Sequence, residues 1–505
     1  MSKEVKKMNK KKVVVRGGPS PTSPYGLHVG NLRTLLYNYI FAKQNGGIFY
    51  LRIEDTDQDR FQEGAEELIK KSLEWVGMEP DYAPWKGGPD GPYRQTERDY
   101  SKYINFLLDN DLAYYAFDTK EELDSVRKKD KYFSYNQKNR MNMRNSLTLS
   151  KEEVNELVSK GSYVVRFKVP ENKIVKFDDM IRGNMTFNSN EVDDKILLKS
   201  NGIGSYHLCN VCDDHDMGTT HVIRGEEWLP STPIHVLLYE AFGWEIPTFA
   251  HLPLIFNPPG HKGKLSKRKS LNMGFPIFPF GGTEVNDKGE EIDIPGFFNE
   301  GYEAEALINF ISLLGWNPGD DTEILSMDKL IEKFDFEKVS KSGAKFDIEK
   351  LNWFNSQYVN KLTVDEVFTD EEIESNSIEK LDKVLTLAKE RAVFKKDLFK
   401  IIDIFLKPIQ NYNDPTKFND EYKNVFRNFN YHIENEELDF SQGQPIKDLI
   451  YKITVKDKGY RFGSVMPGLR QALTGGISGP DLMTTMTILG KEESIRRIQE
   501  SLMAQ

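Results

Sequence analysis

The sequence predicts a multidomain protein: an α/β domain with a parallel sheet, interrupted by an insertion, then a mostly all-α C-terminal part. Three observations carry this. At 505 residues the chain is too long for a single core and should divide into about three to five domains. Residues 13–53 read as strand, turn, helix, strand. Beyond residue 330 apolar positions recur at helical spacing between charged linkers, the pattern of amphipathic helices.

The first element is a short β-branched run, Val13, Val14 and Val15, of the kind buried parallel strands favour. RGGPSPTSPYGLHVG follows at 16–30, too rich in Gly and Pro for a regular element. From Asn31, Leu32, Leu35, Leu36, Tyr39 and Ile40 fall on one helical face, and Gly46 with Gly47 stops the helix before a strand at 48–53. Such a βαβ unit pairs in parallel with a right-handed crossover, and a ligand belongs beyond the strand ends at the first turn. Residues 113–204 mix a charged helical stretch with short strands such as 163–169, and read as an insertion. Strand character returns at 205–214 and 221–224, and 304–314 is strongly helical. Residues 273–298, rich in Gly, Pro and Phe, read as a loop insertion.

Composition excludes several classes. The 31 Phe and 22 Tyr provide for real cores, unlike a disordered chain. Two cysteines, Cys209 and Cys212, cannot build a disulfide framework, which fits a reducing cytosol. Their C-x-x-C spacing lacks the second pair that a structural zinc needs, so two small semi-buried residues are expected. The start, MSKEVKKMNKKK, has lysines but no apolar stretch, so it reads as a solvated basic tail rather than a secretory signal. No apolar run reaches the roughly 20 residues of a membrane span. The net charge of −10 argues against non-specific nucleic-acid binding but leaves room for local basic faces. One such cluster is Lys262, Lys264, Lys267, Arg268 and Lys269; a weaker one runs over 120–144.

Two segments carry chemistry. The Pro/Gly loop delivers His28 and Gly30 to the start of a helix, where backbone N–H groups meet phosphates; it is neither a dinucleotide fingerprint nor a P-loop. Alone, it is equally a structural turn with a capping histidine. HKGKLSKRKS at 261–270 places flexible lysines beside a serine, able to neutralise charge on a transferring phosphoryl or adenylyl group; alone, it reads more readily as a solvated loop or a basic address signal.

Together, H-V-G and K-L-S-K-R, about 235 residues apart, resemble the two signatures of class I aminoacyl-tRNA synthetases. LRIEDTD at 51–57, HVIRGEEWLPSTP at 221–233, FAHLPL at 249–254, Gly315-Trp316, KLNW at 350–353 and LRQALTG at 469–475 are similar to segments of the glutamyl-tRNA synthetase family. The resemblance implies a Rossmann-like catalytic domain at 12–112 and 205–255, an inserted acceptor-binding domain at 113–204, a stem-contact region with the KLSKR loop at 256–330, and a helical anticodon-binding region at 331–505, after a flexible tail at 1–11.

It also implies activation of L-glutamate by ATP with Mg²⁺ and transfer to tRNA(Glu), in a cytoplasmic and monomeric enzyme. His28, Lys264 and Lys267 are the implied catalytic residues; Gly30, Asn31, Trp228, Ser266 and Arg268 join them around ATP. Glutamate brings two carboxylates and an ammonium, so its implied pocket holds Arg16 and Arg224 as carboxylate clamps, Glu54 for the ammonium, and Ser20, Tyr206 and Asn210 as hydrogen-bonding neighbours. Arg224 pairing with Glu226 or Glu227 is the structural alternative.

Several positions depart from the family. Gly17-Gly18 stands for Phe-Ala, Asn31 for His, and Ile203-Gly204-Ser205 where Pro-Thr is usual; the loop from Thr22 to His28 is about two residues longer. Ala116 and Asp118 occupy places where zinc-bearing relatives carry cysteines, so no zinc is expected. The alternatives are a tRNA-modifying glutamylation enzyme, which lacks a helical C-terminal region, and a non-catalytic RNA-binding paralogue, which would be expected to lose His28 or the lysines.

Overall fold

The computed structural model describes residues 12–285, 288–435 and 438–503. The chain forms two compact units, Met1–Leu351 and Asn352–Gln505.

The first unit contains strands β1 (Val14–Gly17), β2 (Ile48–Leu51), β3 (Ala113–Ala116), β4 (Val164–Phe167), β5 (Ile174–Asp179), β6 (Gly183–Asn188), β7 (Ile196–Leu198), β8 (His221–Gly225) and β9 (Thr248–Leu252). Six of them form the main sheet in the order β2-β1-β8-β9-β5-β6. All pairs are parallel except β5 with β6. The hairpin β5-β6, within the stretch read as an insertion, therefore extends the main sheet, while β3, β4 and β7 form a separate antiparallel sheet. The strands nearest the centre are buried on both faces, whereas β5 alternates exposed and buried residues, the pattern of a sheet covered on one side.

Helix α1 (Val29–Gln44) returns the chain from β1 to β2. From β1 the chain runs outward to β2, and from β8 outward to β9 on the other side. The order thus reverses between β1 and β8, which opens a crevice beyond their C-terminal ends.

Residues expected to form a strand at 205–214 instead form helix α2 (Tyr206–Asp216). Leu208, Cys209, Val211 and Cys212 lie in the core against helix α3 (Thr232–Phe242). Asp213 and Asp214 are turned inward onto buried arginines. Both cysteines are free and buried. The KLSKR motif leads into helix α4 (Lys267–Met273).

Residues 273–298 are more ordered than a loop. Strand Gly282–Val285 pairs antiparallel with Glu291–Ile294, and a short helix, Phe297–Glu300, follows. The Ile277 carbonyl accepts a 2.8 Å hydrogen bond from Val29 N–H, and the Phe278 ring lies edge-on to His28 at 5.8 Å. The segment therefore braces the start of α1.

The second unit is helical; among the described residues it contains no strand. Its cores gather Tyr422, Phe426 and Leu469 in one cluster and Leu381, Leu398 and Phe405 in another. Arg497 is buried and donates to the carbonyls of Ile404 (2.7 Å) and Leu473 (2.6 Å), satisfying carbonyls that burial would otherwise leave unpaired. No helix among the described residues is long and apolar enough to cross a membrane.

Candidate active site

A cavity of about 740 Å³ opens at the crevice between β1 and β8. Of the residues singled out in the sequence, it brings together Arg16, Ser20, His28, Gly30, Asn31, Glu54, Tyr206, Arg224, Trp228, Lys264, Ser266 and Lys267. Asn210 and Arg268 are not among the lining residues.

One end is built on buried charge. Arg16 reaches Asp214 at 3.1 Å. Arg52, fully buried, pairs with Asp214 at 2.8 Å and with Glu54 at 3.0 Å. Arg98 joins through Asp213 at 2.8 Å. Three guanidiniums thus meet three carboxylates, so the buried cluster carries no net charge and each ion has its partner, as burial demands. Burial opposes the charge of Asp214, but Arg16 and Arg52 outweigh it and hold that carboxyl below the usual range. Asn210 sits behind the wall: with its amide oxygen toward the arginines it accepts from Arg16 at 2.8 Å and Arg52 at 3.1 Å. Its place is bracing the arginines rather than lining the cavity.

Gly18 leaves room for Glu54. A Cβ at this position would stand 2.4 Å from a Glu54 carboxylate oxygen, so the family's alanine would displace that group.

Arg224 is different. It is buried, yet its partners are neutral: Nε donates to His251 Nε2 (3.2 Å), and the terminal nitrogens donate to His235 Nδ1 (3.2 Å) and Thr232 Oγ1 (2.9 Å). The alternative pairing with its neighbours does not occur, because Glu226 pairs with Arg182 and Glu227 with Lys264. Burial pulls the pKa of Arg224 below its ordinary value, though a guanidinium stays charged. Tyr206 lies beside it, with its ring 4.2 Å from that of Trp228.

At the other end, His28 is the N-cap of α1. Its Nδ1 accepts from Gly30 N–H at 3.0 Å. Burial, reinforced by Lys264, pushes its pKa down to about 4. The ring is therefore neutral at physiological pH, and with Nδ1 accepting, its proton is on Nε2. Capping and donation are thus compatible: one nitrogen holds the helix and the other remains a donor. Asn31 is exposed in the first turn. Across the cavity, Lys264 stands 3.4 Å from Glu227. Lys267 pairs with Glu284 and lies 4.7 Å from the centre of the Tyr25 ring, and the Tyr25 hydroxyl donates to the same carboxylate at 2.9 Å. Ser266 precedes α4 without capping it. Arg268 is exposed.

Sequence reasoning missed Arg33, Lys199 and His207 on the cavity wall and the Arg52–Asp213–Asp214 cluster behind it. Charged residues inside apolar runs, Arg52 between Leu51 and Ile53 above all, were the available signal for the cluster. Nothing in the sequence pattern marked Lys199 or His207.

Residues 12–276 and 289–353 match the family of class I tRNA synthetases (E and Q), catalytic domain; residues 351–502 match an anticodon binding domain. The chain is 44% identical over 509 residues to a glutamate–tRNA ligase of Flavobacterium johnsoniae, covering 98% of this chain and 99% of that one. It is 45% identical to that of Phocaeicola vulgatus with the same coverage. The crystal structure of a glutamate tRNA ligase from Elizabethkingia meningosepticum, in complex with its amino acid, superposes with a TM-score of 0.85 at 44% identity, covering 98% of this chain and 99% of that one. The Elizabethkingia anophelis glutamate-tRNA synthetase gives 0.82 at 44% identity, with 98% and 100% covered. This chain belongs to the glutamate–tRNA ligases of the class I tRNA synthetases.

Proposed function

We propose that the cavity condenses L-glutamate with ATP into glutamyl adenylate and pyrophosphate, then passes the glutamyl group to the 3′-terminal adenosine of tRNA(Glu). The observation that carries this reading is Arg224, a buried guanidinium with neutral protein partners, sharing one cavity with His28, Lys264 and Lys267.

In this reading Arg224 and Arg16 receive the substrate carboxylates, Glu54 faces the ammonium, and Ser20 and Tyr206 add hydrogen bonds. A carboxylate is already ionised at neutral pH, so its attack on the α-phosphorus needs no general base. The protein's task is positioning and offsetting phosphate charge. His28 donates from Nε2, Gly30 leaves room beside the helix start, Asn31 faces the phosphates, and Trp228 packs near the adenine. Lys264, Ser266 and Lys267 close on the phosphates, whereas Arg268 has no direct part. Mg²⁺ carried on those phosphates lowers their charge further. A terminal ribose hydroxyl of the tRNA, the 2′-OH in this class, then attacks the activated carbonyl and releases AMP.

We read 113–204 as the acceptor-contacting part, 256–330 as the stem-contact region, and the helical unit, which includes the match over 351–502, as the anticodon-binding part of a cytoplasmic monomer. That match disfavours the shorter tRNA-modifying relative. The test is transfer of labelled glutamate, and separately glutamine, to total bacterial tRNA with ATP and Mg²⁺. An alkali-labile glutamyl ester on tRNA(Glu) is expected; active protein that forms none contradicts the reading.

A further inference from the structure

Three neighbouring parallel strands each deliver one side chain at or next to their C-terminal end: Asp179 from β5, His251 from β9 and Arg224 from β8. They form a chain of hydrogen bonds. Asp179 Oδ2 is 2.6 Å from His251 Nδ1, and His251 Nε2 is 3.2 Å from Arg224 Nε. On the other flank, Arg224 meets His235 Nδ1, and the second nitrogen of His235 is 3.1 Å from His207 Nδ1.

The proton positions follow from chemistry. A guanidinium can only donate, so both imidazole nitrogens that face it must be bare. His251 then carries its proton on Nδ1, where Asp179 accepts it. His235 carries its proton on Nε2 and gives it to His207. Both rings are buried, and burial, with Arg224 adding, disfavours a proton on His235 and keeps its pKa well below the ordinary value. Asp179 is itself locked: Oδ1 accepts from the backbone N–H groups of Ile181 (2.9 Å) and Arg182 (2.8 Å), and Oδ2 also accepts from that of His251 (3.1 Å).

The arrangement does two things at once. It fixes the guanidinium plane through three acceptors, and it does so without a carboxylate in direct contact. Arg16, one strand away, has its carboxylate partner already. A substrate carboxylate therefore meets an oriented cation at Arg224 and displaces no protein ion pair there. A neutral side-chain amide in the same place meets that charge without supplying its counter-charge.

We propose that Asp179, His251 and His235 are positioning residues for glutamate recognition, holding Arg224 on uncharged acceptors so that its charge is kept for the substrate carboxylate. This rests on the assignment of Arg224 to that carboxylate.

The experiment measures kcat and the KM values for glutamate and ATP in tRNA charging by the full-length enzyme. It compares His251→Leu, which removes the acceptor, with His251→Gln, which returns an amide oxygen near the Nε2 position. His235→Leu and His235→Asn make the same comparison at Nδ1, and Arg224→Ala is the control. The leucine variants are expected to raise the glutamate KM about 10- to 100-fold, the range seen when outer partners of metal ligands are lost, with the ATP KM unchanged. The amide variants should stay within about threefold of the parent, since the acceptor is restored.

Nitrogen-15 spectra of the eight histidines supply a readout that packing alone does not move. His251 should appear as the Nδ1–H tautomer. In Asp179→Asn, Arg224 still keeps Nε2 bare, while an asparagine whose oxygen serves the Ile181 and Arg182 amides turns its NH₂ toward the ring and no longer accepts from Nδ1–H; the Nδ1 signal should therefore leave its hydrogen-bonded position with the tautomer unchanged. An unchanged glutamate KM in the leucine variants, with a raised one in Arg224→Ala, would overturn the positioning role and leave the role of Arg224 intact. An unchanged KM in Arg224→Ala would remove the assignment on which it rests. Equal losses for glutamate and ATP in Leu and amide variants alike would reduce the histidines to packing and overturn the proposal.

Discussion

The two ends of the cavity hold their charges in different ways. At the end we assign to the amino acid, Arg16 and Asp214 pair with side chains 5% and 0% exposed, and Arg52 is fully enclosed. At the end we assign to the phosphates, Lys264 and Glu227 pair at 54% and 48% exposure, and Lys267 and Glu284 at 34% and 30%. Exposed pairs contribute about 0–1 kcal/mol, whereas breaking a buried pair costs about 3–5 kcal/mol. The first end is therefore set before substrate arrives. The second is held by contacts that a nucleotide's phosphates can replace, with Glu227 and Glu284 occupying the lysines until then.

The comparison can be broken most sharply at Lys267. Lys267→Ala should lower kcat by about 10²- to 10³-fold, the scale for removing one charge-stabilising donor, with the glutamate KM little changed; a loss confined to tRNA binding would detach Lys267 from the chemistry. Arg224→Ala should act on the opposite side, raising the glutamate KM about 10²-fold, in keeping with truncation of a buried charge pair, while the ATP KM holds. Equal effects on both substrates would make Arg224 structural.

His28 sharpens the contrast through pH. Its pKa is about 4 in the fold against about 6.5 in an unfolded chain. As pH falls below 6.5 the unfolded form takes up the proton first, so stability declines between pH 6.5 and 4 and is independent of this group above that window. His207, also pushed down to about 4 by burial, acts in the same direction. Thermal unfolding of His28→Gln should show a shallower decline than the parent; an identical slope would mean that His28 is not held neutral. The smallest effect belongs to Glu284→Gln. Freed of its carboxylate partner, Lys267 should bind phosphates more readily, lowering the ATP KM by about two- to fivefold; a raised KM would make the pair a support rather than a placeholder.

Much of this was legible in the sequence because local pattern and local chemistry agreed there. The β-branched run and the amphipathic spacing placed β1 and α1 to within about two residues, Arg16–Gly17 and Val29–Gly30 of the Gly/Pro stretch falling inside these elements, and the motif pair pointed to Lys264 and Lys267, which line the same cavity as His28. The helix Tyr206–Asp216 differs from the strand expected there because long-range burial against α3 and the pairing of Asp213 and Asp214 with arginines decide its form. Asn210 was placed in the pocket wall because sequence order cannot distinguish a residue that touches ligand from one that braces Arg16 and Arg52. Gly204 shows the same limit: a Cβ there would stand 2.5 Å from Cys209 Sγ, a neighbour visible only in the fold. The 273–298 insertion gave no pattern beyond its composition, and its contacts with His28, Tyr25 and Lys267 arise across the chain.

The measurement that bears most directly on the division of the cavity is backbone hydrogen exchange of the full-length enzyme, free, with glutamate and with ATP and Mg²⁺. Slow exchange in β1 and β8 in all three states, with residues 261–273 slowed by ATP and not by glutamate, is the predicted result. Residues 261–273 already slow in the free enzyme, or slowed equally by glutamate alone, would contradict an amino-acid end built in advance and a phosphate end completed by its ligand.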